Sequence, residues 1–197
     1  MADLYHAFAA LLSYPDEDYS ERVQAGLCLA THESRELLEQ FAQAVEGLET
    51  WELQELFTRT FDMNPVCSLE LGWHLFGENY ERGLLLVRVR EELRRVGIQE
   101  SAELPDHLTH ILELLARMDH DKGADFAAAC VLPALKKMLE ALHGKENPFE
   151  SVLFAVQIFL HSQFPQIPLT CDRTEPLLKV LPLEEDLRGG MRGASRD

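Results

Sequence analysis

The sequence predicts an all-α protein: a single-domain, irregular bundle of about 8–10 helices with an extended C-terminal tail. Three observations carry that expectation. Apolar residues recur with helical spacing along nearly the whole chain, alternating β-branched runs are missing, and Pro, Gly and Asn break the pattern at short intervals. At 197 residues the chain can bury one sizeable core.

The helices follow in order. A first from about Asp3 to Tyr14 is stopped by Pro15, a second runs from about Asp18 to Leu29, and a third from Glu33 to Leu48 places Leu37, Leu38, Phe41 and Val45 on one face. Trp51 to Phe61 makes a fourth, broken by Asn64-Pro65, and a short apolar helix from about Ser68 to Phe76 leads into the turn Gly77-Glu78-Asn79. The next, Tyr80 to Val96, carries Leu85, Leu86, Val89, Leu93 and Val96 on one side and Tyr80, Leu84 and Val87 on the other over its first two turns, which predicts burial all round at its start. Gly83 within that start implies close approach of another backbone, and Arg82 beside the larger patch needs a carboxylate or carbonyl partner. Gly97 ends it as a C′ residue, and residues 98–104 form a linker.

Glu103-Leu104-Pro105-Asp106-His107-Leu108-Thr109-His110 then opens a further helix, with Pro105 at its first position and Asp106 complementing the positive helix end. Leu104, Leu108, Ile111, Leu112, Leu115 and Met118 share its core stripe, and Asp106, His110, Glu113 and Arg117 the polar stripe opposite. Asp106 is a helix-end acid or a binding residue. His107, at the edge of the apolar stripe, is a half-buried, hydrogen-bonded histidine or a proton-sensing group beside a carboxylate. His110, one turn from Asp106, is its partner, a ligand or a solvated residue. After a polar break over Asp119 to Gly123 comes a long helix, Asp125 to Leu142, kinked at Pro133 and closed by His143-Gly144. Asn147-Pro148-Phe149-Glu150 starts the apolar helix Val152 to Phe164. The domain is thus 1–164, and 165–197 is a proline- and glycine-rich, partly disordered tail made basic by Arg188, Arg192 and Arg196.

Charge narrows the partners. A formal net charge of −16 repels phosphate backbones and anionic lipid, arguing against nucleic acid and membrane surfaces. Residues 1–60 carry twelve acids against three bases, so that third is the candidate cation-facing surface or simply a solvated shell. Cys28, Cys67, Cys130 and Cys171 are scattered, Met1-Ala2-Asp3 does not open like a leader peptide, and no apolar run is long enough to span a bilayer; a cytoplasmic protein with reduced thiols is expected.

Catalysis finds little support. His107 and His110 are three apart rather than in an H-E-x-x-H arrangement, and there is no G-x-S-x-G turn or glycine-rich phosphate loop. The remaining enzymatic alternative is a metal site made of Asp106, His107, His110 and Glu113. Against it stands a surface of Trp73, Phe76 and Tyr80 around Gly77, which is either ordinary core or a seat for a basic amphipathic peptide whose cations meet carboxylates.

Three segments bear on that choice: Phe57-Thr58-Arg59-Thr60-Phe61-Asp62-Met63, Glu81-Arg82-Gly83-Leu84-Leu85-Leu86 and Glu103-Leu104-Pro105-Asp106-His107-Leu108 with Glu113. In order and spacing they resemble the redox-enzyme maturation chaperones of the NarJ/TorD/DmsD type, nearest to the respiratory nitrate reductase delta-subunit branch. The opening Tyr5 to Pro15, ending in Tyr-Pro, is similar to that family's first helix. The resemblance implies a cytoplasmic, all-α chaperone without a cofactor of its own. It would bind the N-terminal segment of the apo catalytic subunit of a molybdoenzyme and assist molybdenum cofactor and iron–sulfur insertion before membrane assembly or export. It also implies a peptide-binding locus at Pro105, Asp106 and His107, joined by Leu75 and Phe76; His110, Glu113, Trp73 and Tyr80 complete the candidate site. A monomer is expected, with a domain-swapped dimer or a plain helical scaffold subunit as alternatives.

Overall fold

In the computed structural model, which describes residues 2–167 and Leu181, the chain is helical as expected. The order is α1 (Ala2–Leu11), α2 (Tyr19–Leu29), α3 (His32–Val45), α4 (Thr50–Phe57), a π-turn (Thr58–Asp62), a 3-10 turn (Pro65–Cys67), α5 (Leu71–Phe76), α6 (Tyr80–Arg95), α7 (Leu108–Leu115), α8 (His120–Phe126), a second π-turn (Ala127–Val131), α9 (Leu132–Leu142) and α10 (Phe149–Gln163). Among the described residues no strand forms; one isolated antiparallel bridge joins Glu70 to His107. The expected tail lies outside the described residues from 168 on, apart from Leu181.

The core is aromatic at its centre. Phe149, at the start of α10, sits 5.3 Å from Phe41, 5.7 Å from Phe57 and 5.0 Å from Phe61, while Phe159 on the same helix meets Tyr5 and Phe8 of α1. These tilted and edge-on pairs add to the large apolar burial of each ring. Asn147 starts α10 as foreseen, its Oδ1 accepting the Phe149 N–H at 3.0 Å.

Both π-turns fall where a continuous helix was expected. In the first, Phe57 and Phe61 both face Phe149, and the Thr60 hydroxyl donates to the Leu56 carbonyl at 2.6 Å, a back-bond that loosens the helical ladder. The second lies just ahead of Pro133, whose missing N–H forbids the ordinary ladder; the chain widens by one residue and restarts as α9.

Other expectations give way. The polar break expected over Asp119 to Gly123 is confined to Asp119, the N-cap; from His120 on the chain is already helix α8. The start of α6 is not buried all round: Tyr80 is 78% exposed, and a Cβ on Gly83 would meet nothing within 4 Å. The close approach occurs at Gly72 instead, where a Cβ would lie 2.7 Å from Asp106 Oδ2 and 3.0 Å from Arg82 Cγ. Gly77 and Gly97 do take left-handed conformations, φ +60° and +73°, to turn the chain after α5 and α6.

Candidate functional site

The site forms where the segment before α5 meets the segment before α7. Leu71 N–H donates to the Asp106 carbonyl at 3.0 Å and Leu108 N–H to the Leu69 carbonyl at 2.8 Å, so the two segments run as a two-bond antiparallel seam. Asp106 adds a third tie, its Oδ2 accepting Gly72 N–H at 2.8 Å. The Glu70 side chain does not cap α5; Asp106, from a distant segment, does that work.

This corrects the reading of the Pro-Asp-His segment. The helix begins at Leu108, with His107 as N-cap, so Pro105 and Asp106 precede it in a turn rather than opening it. Asp106 and His110 do not sit on a solvent face; both are buried, because the seam turns the segment inward. Burial pushes the Asp106 carboxyl above the usual carboxylate range, against the Gly72 N–H and the Arg82 charge, which pull it down. His110 does not pair with Asp106: Nδ1 donates to the Leu104 carbonyl at 2.9 Å and Nε2 accepts Ser101 N–H at 3.0 Å, pinning the linker to α7.

His107 is held as a neutral imidazole. Its Nδ1 accepts from the Thr109 hydroxyl at 2.7 Å, and burial, helped by His110, lowers its pKa from 6.5 to about 4. It therefore does not titrate near neutral pH, contrary to the expectation drawn from its adjacency to Asp106. Glu113 faces elsewhere: His6 Nδ1 of α1 lies 2.7 Å from its Oε1. Asp106, His107, His110 and Glu113 thus serve four different sets of partners and do not converge on a metal, which removes the enzymatic alternative built on them.

Alongside the seam opens a cleft of about 460 Å³, lined by Phe61, Asp62, Pro65, Ser68, Leu69, Glu70, Trp73, Arg82, Glu103 and His107. Of the expected site residues only Trp73 and His107 line it. Leu75 and Phe76 are half-buried further along α5, and Tyr80 is exposed at the start of α6. Three carboxylates, Asp62, Glu70 and Glu103, face one guanidinium, that of Arg82, so the cleft is acidic. The Asp62 carboxyl is raised, first by burial and further by the Glu70 charge. Exposed Met63, Val66 and Leu104, at 78%, 59% and 40%, adjoin lining residues in the chain and supply apolar surface beside the acids. Asp62 and Glu103 lie within the segments that carried the family resemblance; Glu70 had no signal of its own, since only the seam brings it to the cleft.

A family model described as "Nitrate reductase delta subunit" matches residues 25–149, more than half of the chain and the whole of the cleft. The chain belongs to the nitrate reductase delta subunit family. This family member is 28% identical over 152 residues to the nitrate reductase molybdenum cofactor assembly chaperone NarJ of Escherichia coli (strain K12), covering 73% of this chain and 63% of NarJ. It is 28% identical over 147 residues to the probable chaperone NarW of the same organism, covering 74% of this chain and 63% of NarW. To the probable NarJ of Bacillus subtilis (strain 168) it is 27% identical over 141 residues, covering 69% of this chain and 70% of that relative. The chain thus aligns with less than two thirds of each Escherichia coli relative. No helix among its described residues is long and apolar enough to cross a membrane.

Proposed function

We propose that this chain is a non-catalytic, cytoplasmic assembly chaperone for a molybdoenzyme, most directly a nitrate reductase. It binds the N-terminal segment of the apo catalytic subunit and keeps it competent for molybdenum cofactor and iron–sulfur insertion before membrane assembly or export. Family membership and the relatives' names support the chaperone role. The observation that carries the peptide-binding part is the acidic cleft beside the seam, with an aromatic wall and exposed apolar neighbours, which suits a basic amphipathic segment. A monomer suffices for that geometry, since both walls come from one chain.

Roles within the site follow from burial. Asp62, Glu70 and Glu103 receive cations, and Trp73 and His107 give the cleft its flat surfaces. Leu75, Phe76 and Tyr80 extend the apolar contact. Pro105, Asp106 and His110 are positioning residues that hold the seam, and Asp106 does not itself meet the peptide's charge.

The test is calorimetric titration with a synthetic peptide of the N-terminal residues of a nitrate reductase catalytic subunit. Binding should weaken on raising salt and in Asp62→Asn and Glu103→Gln; the asparagine keeps an oxygen for the Asp62 side-chain hydrogen bond with Thr58. Equal affinity in both variants removes the cleft as the binding site. Pull-downs should favour the cofactor-free catalytic subunit over the loaded enzyme; the reverse preference indicates a scaffold subunit instead.

A further inference from the structure

A cleft suited to a cation already contains one. The Arg82 side chain leaves α6 through the space that Gly72 leaves open, places its guanidinium carbon 5.4 Å from the centre of the Trp73 ring, and brings Nη2 to 3.5 Å from Glu70 Oε2. That is a loose seat for a partly buried guanidinium. Arg90, on the same helix, offers the contrast: its Nε reaches both Glu100 carboxylate oxygens at 2.9 Å. Arg82 has one long ion pair, a stacking contact and the attraction of the Asp106 charge, with no close hydrogen bond to any of them; its Nε is buried without a hydrogen-bond partner, as is Oδ1 of Asp106. Charged fork pairs ordinarily close to about 2.7–2.9 Å with every donor used. Arg82 is therefore held weakly by groups that would suit a second cation equally well.

Building on the peptide-binding reading, we infer that Arg82 occupies, in the free protein, the seat that an arginine or lysine of the bound peptide takes over. Binding is then an exchange of one cation for another at Glu70 and the Trp73 face. Arg82 becomes a specificity determinant: a neutral peptide, however apolar, brings nothing that displaces it.

The probe is a synthetic amphipathic peptide of alanine, leucine and glutamine with a single arginine, paired with a twin in which that arginine is citrulline, an uncharged isostere. By calorimetry Arg82→Gln should bind the arginine peptide about tenfold more tightly, the size of one lost stacking contact plus one partly exposed ion pair. It should bind the citrulline twin within roughly twofold of wild type. Arg95→Gln removes the same charge about 20 Å along α6 and should alter neither affinity, which separates exchange from a general change in field. In unmodified protein, NMR of the arginine Nε–H groups should show Arg82 exchanging faster with water after addition of the arginine peptide but not of its twin. Arg82→Lys, which keeps the charge and the stem, covers the case in which Arg82→Gln does not fold and should fall between wild type and Arg82→Gln.

Weaker or unchanged binding of the arginine peptide by Arg82→Gln, or an equal gain for the citrulline twin, overturns the inference while leaving peptide binding intact. If neither wild type nor variant binds either peptide, both readings fall together.

Discussion

Substituting alanine for Gly72 tests the seam on which the cleft is built. On helix propensity alone Gly72→Ala in α5 should stabilise the protein by about 0.5–1 kcal/mol. The structure reverses the sign. The new methyl group would stand 2.7 Å from Asp106 Oδ2, 3.0 Å from Arg82 Cγ and 3.3 Å from Leu85 Cδ2, so the carboxylate has to retreat from the Gly72 N–H it now accepts at 2.8 Å. Losing a buried hydrogen bond to a charged acceptor costs about 1.5–3 kcal/mol and overpacking about 1–3 kcal/mol. After the propensity gain a net loss of about 3 kcal/mol remains, or roughly 6–12 °C in Tm for a chain of this size. Far-UV circular dichroism melts read it directly. Gly83→Ala is the control, because nothing lies within 4 Å of a Cβ there; it should gain up to about 1 kcal/mol. The double variant Gly72→Ala with Asp106→Ala should lose less than the sum of the single changes, since both break one contact. If Gly72→Ala melts at or above wild type, the Asp106–Gly72 tie does not hold the seam.

Three further outcomes are expected. His107, with a folded pKa of about 4 against 6.5 unfolded, binds fewer protons in the folded state between those values, so acidification through that window should cost stability, at most roughly 3 kcal/mol, and His107→Gln should flatten the loss in denaturant titrations at stepped pH. Glu113→Ala, which breaks a partly exposed contact with His6, should cost less than about 1 kcal/mol and leave peptide affinity unchanged; a fall in affinity would return Glu113 to the binding site. Of the three described cysteines, Cys28 is exposed while burial raises the Cys67 and Cys130 thiols to about 12, so a thiol reagent followed by mass spectrometry should label Cys28 promptly in native protein and the other two only on unfolding.

The helices were legible because their signals are local. The faces of α3 and α10, the glycine stops at Gly77 and Gly97 and the Asn147 start follow from spacing and capping within a few residues. What failed was long-range. Asp106 looked like an exposed helix-end acid because nothing near it in the chain announces Gly72, 34 residues earlier, as its hydrogen-bond partner. Gly83 drew the inference that belongs to Gly72, since both are helical glycines and only packing tells them apart. His107 beside a carboxylate suggested a neutral-pH sensor, yet desolvation outweighs an acid whose charge points to another helix. Of the Pro-Asp-His segment, only His107 lines the cleft together with Trp73. The carboxylates at the cleft were only partly visible, Glu70 least of all.

The seam also decides how the cleft can respond mechanically. Its two backbone bonds and the Asp106 carboxylate stitch the Glu70 and His107 sides into one piece, so prising them apart means exposing three buried donors at once. The opposite bank, from Phe61 to Pro65, crosses from a π-turn into a 3-10 turn and has no such stitching to the 103–107 stretch among its main-chain bonds. That bank is anchored through side chains instead, Phe61 lying buried 5.0 Å from Phe57 and from Phe149, so the two flanks of the cleft are fixed by different means: main-chain stitching on one and aromatic packing into the core on the other.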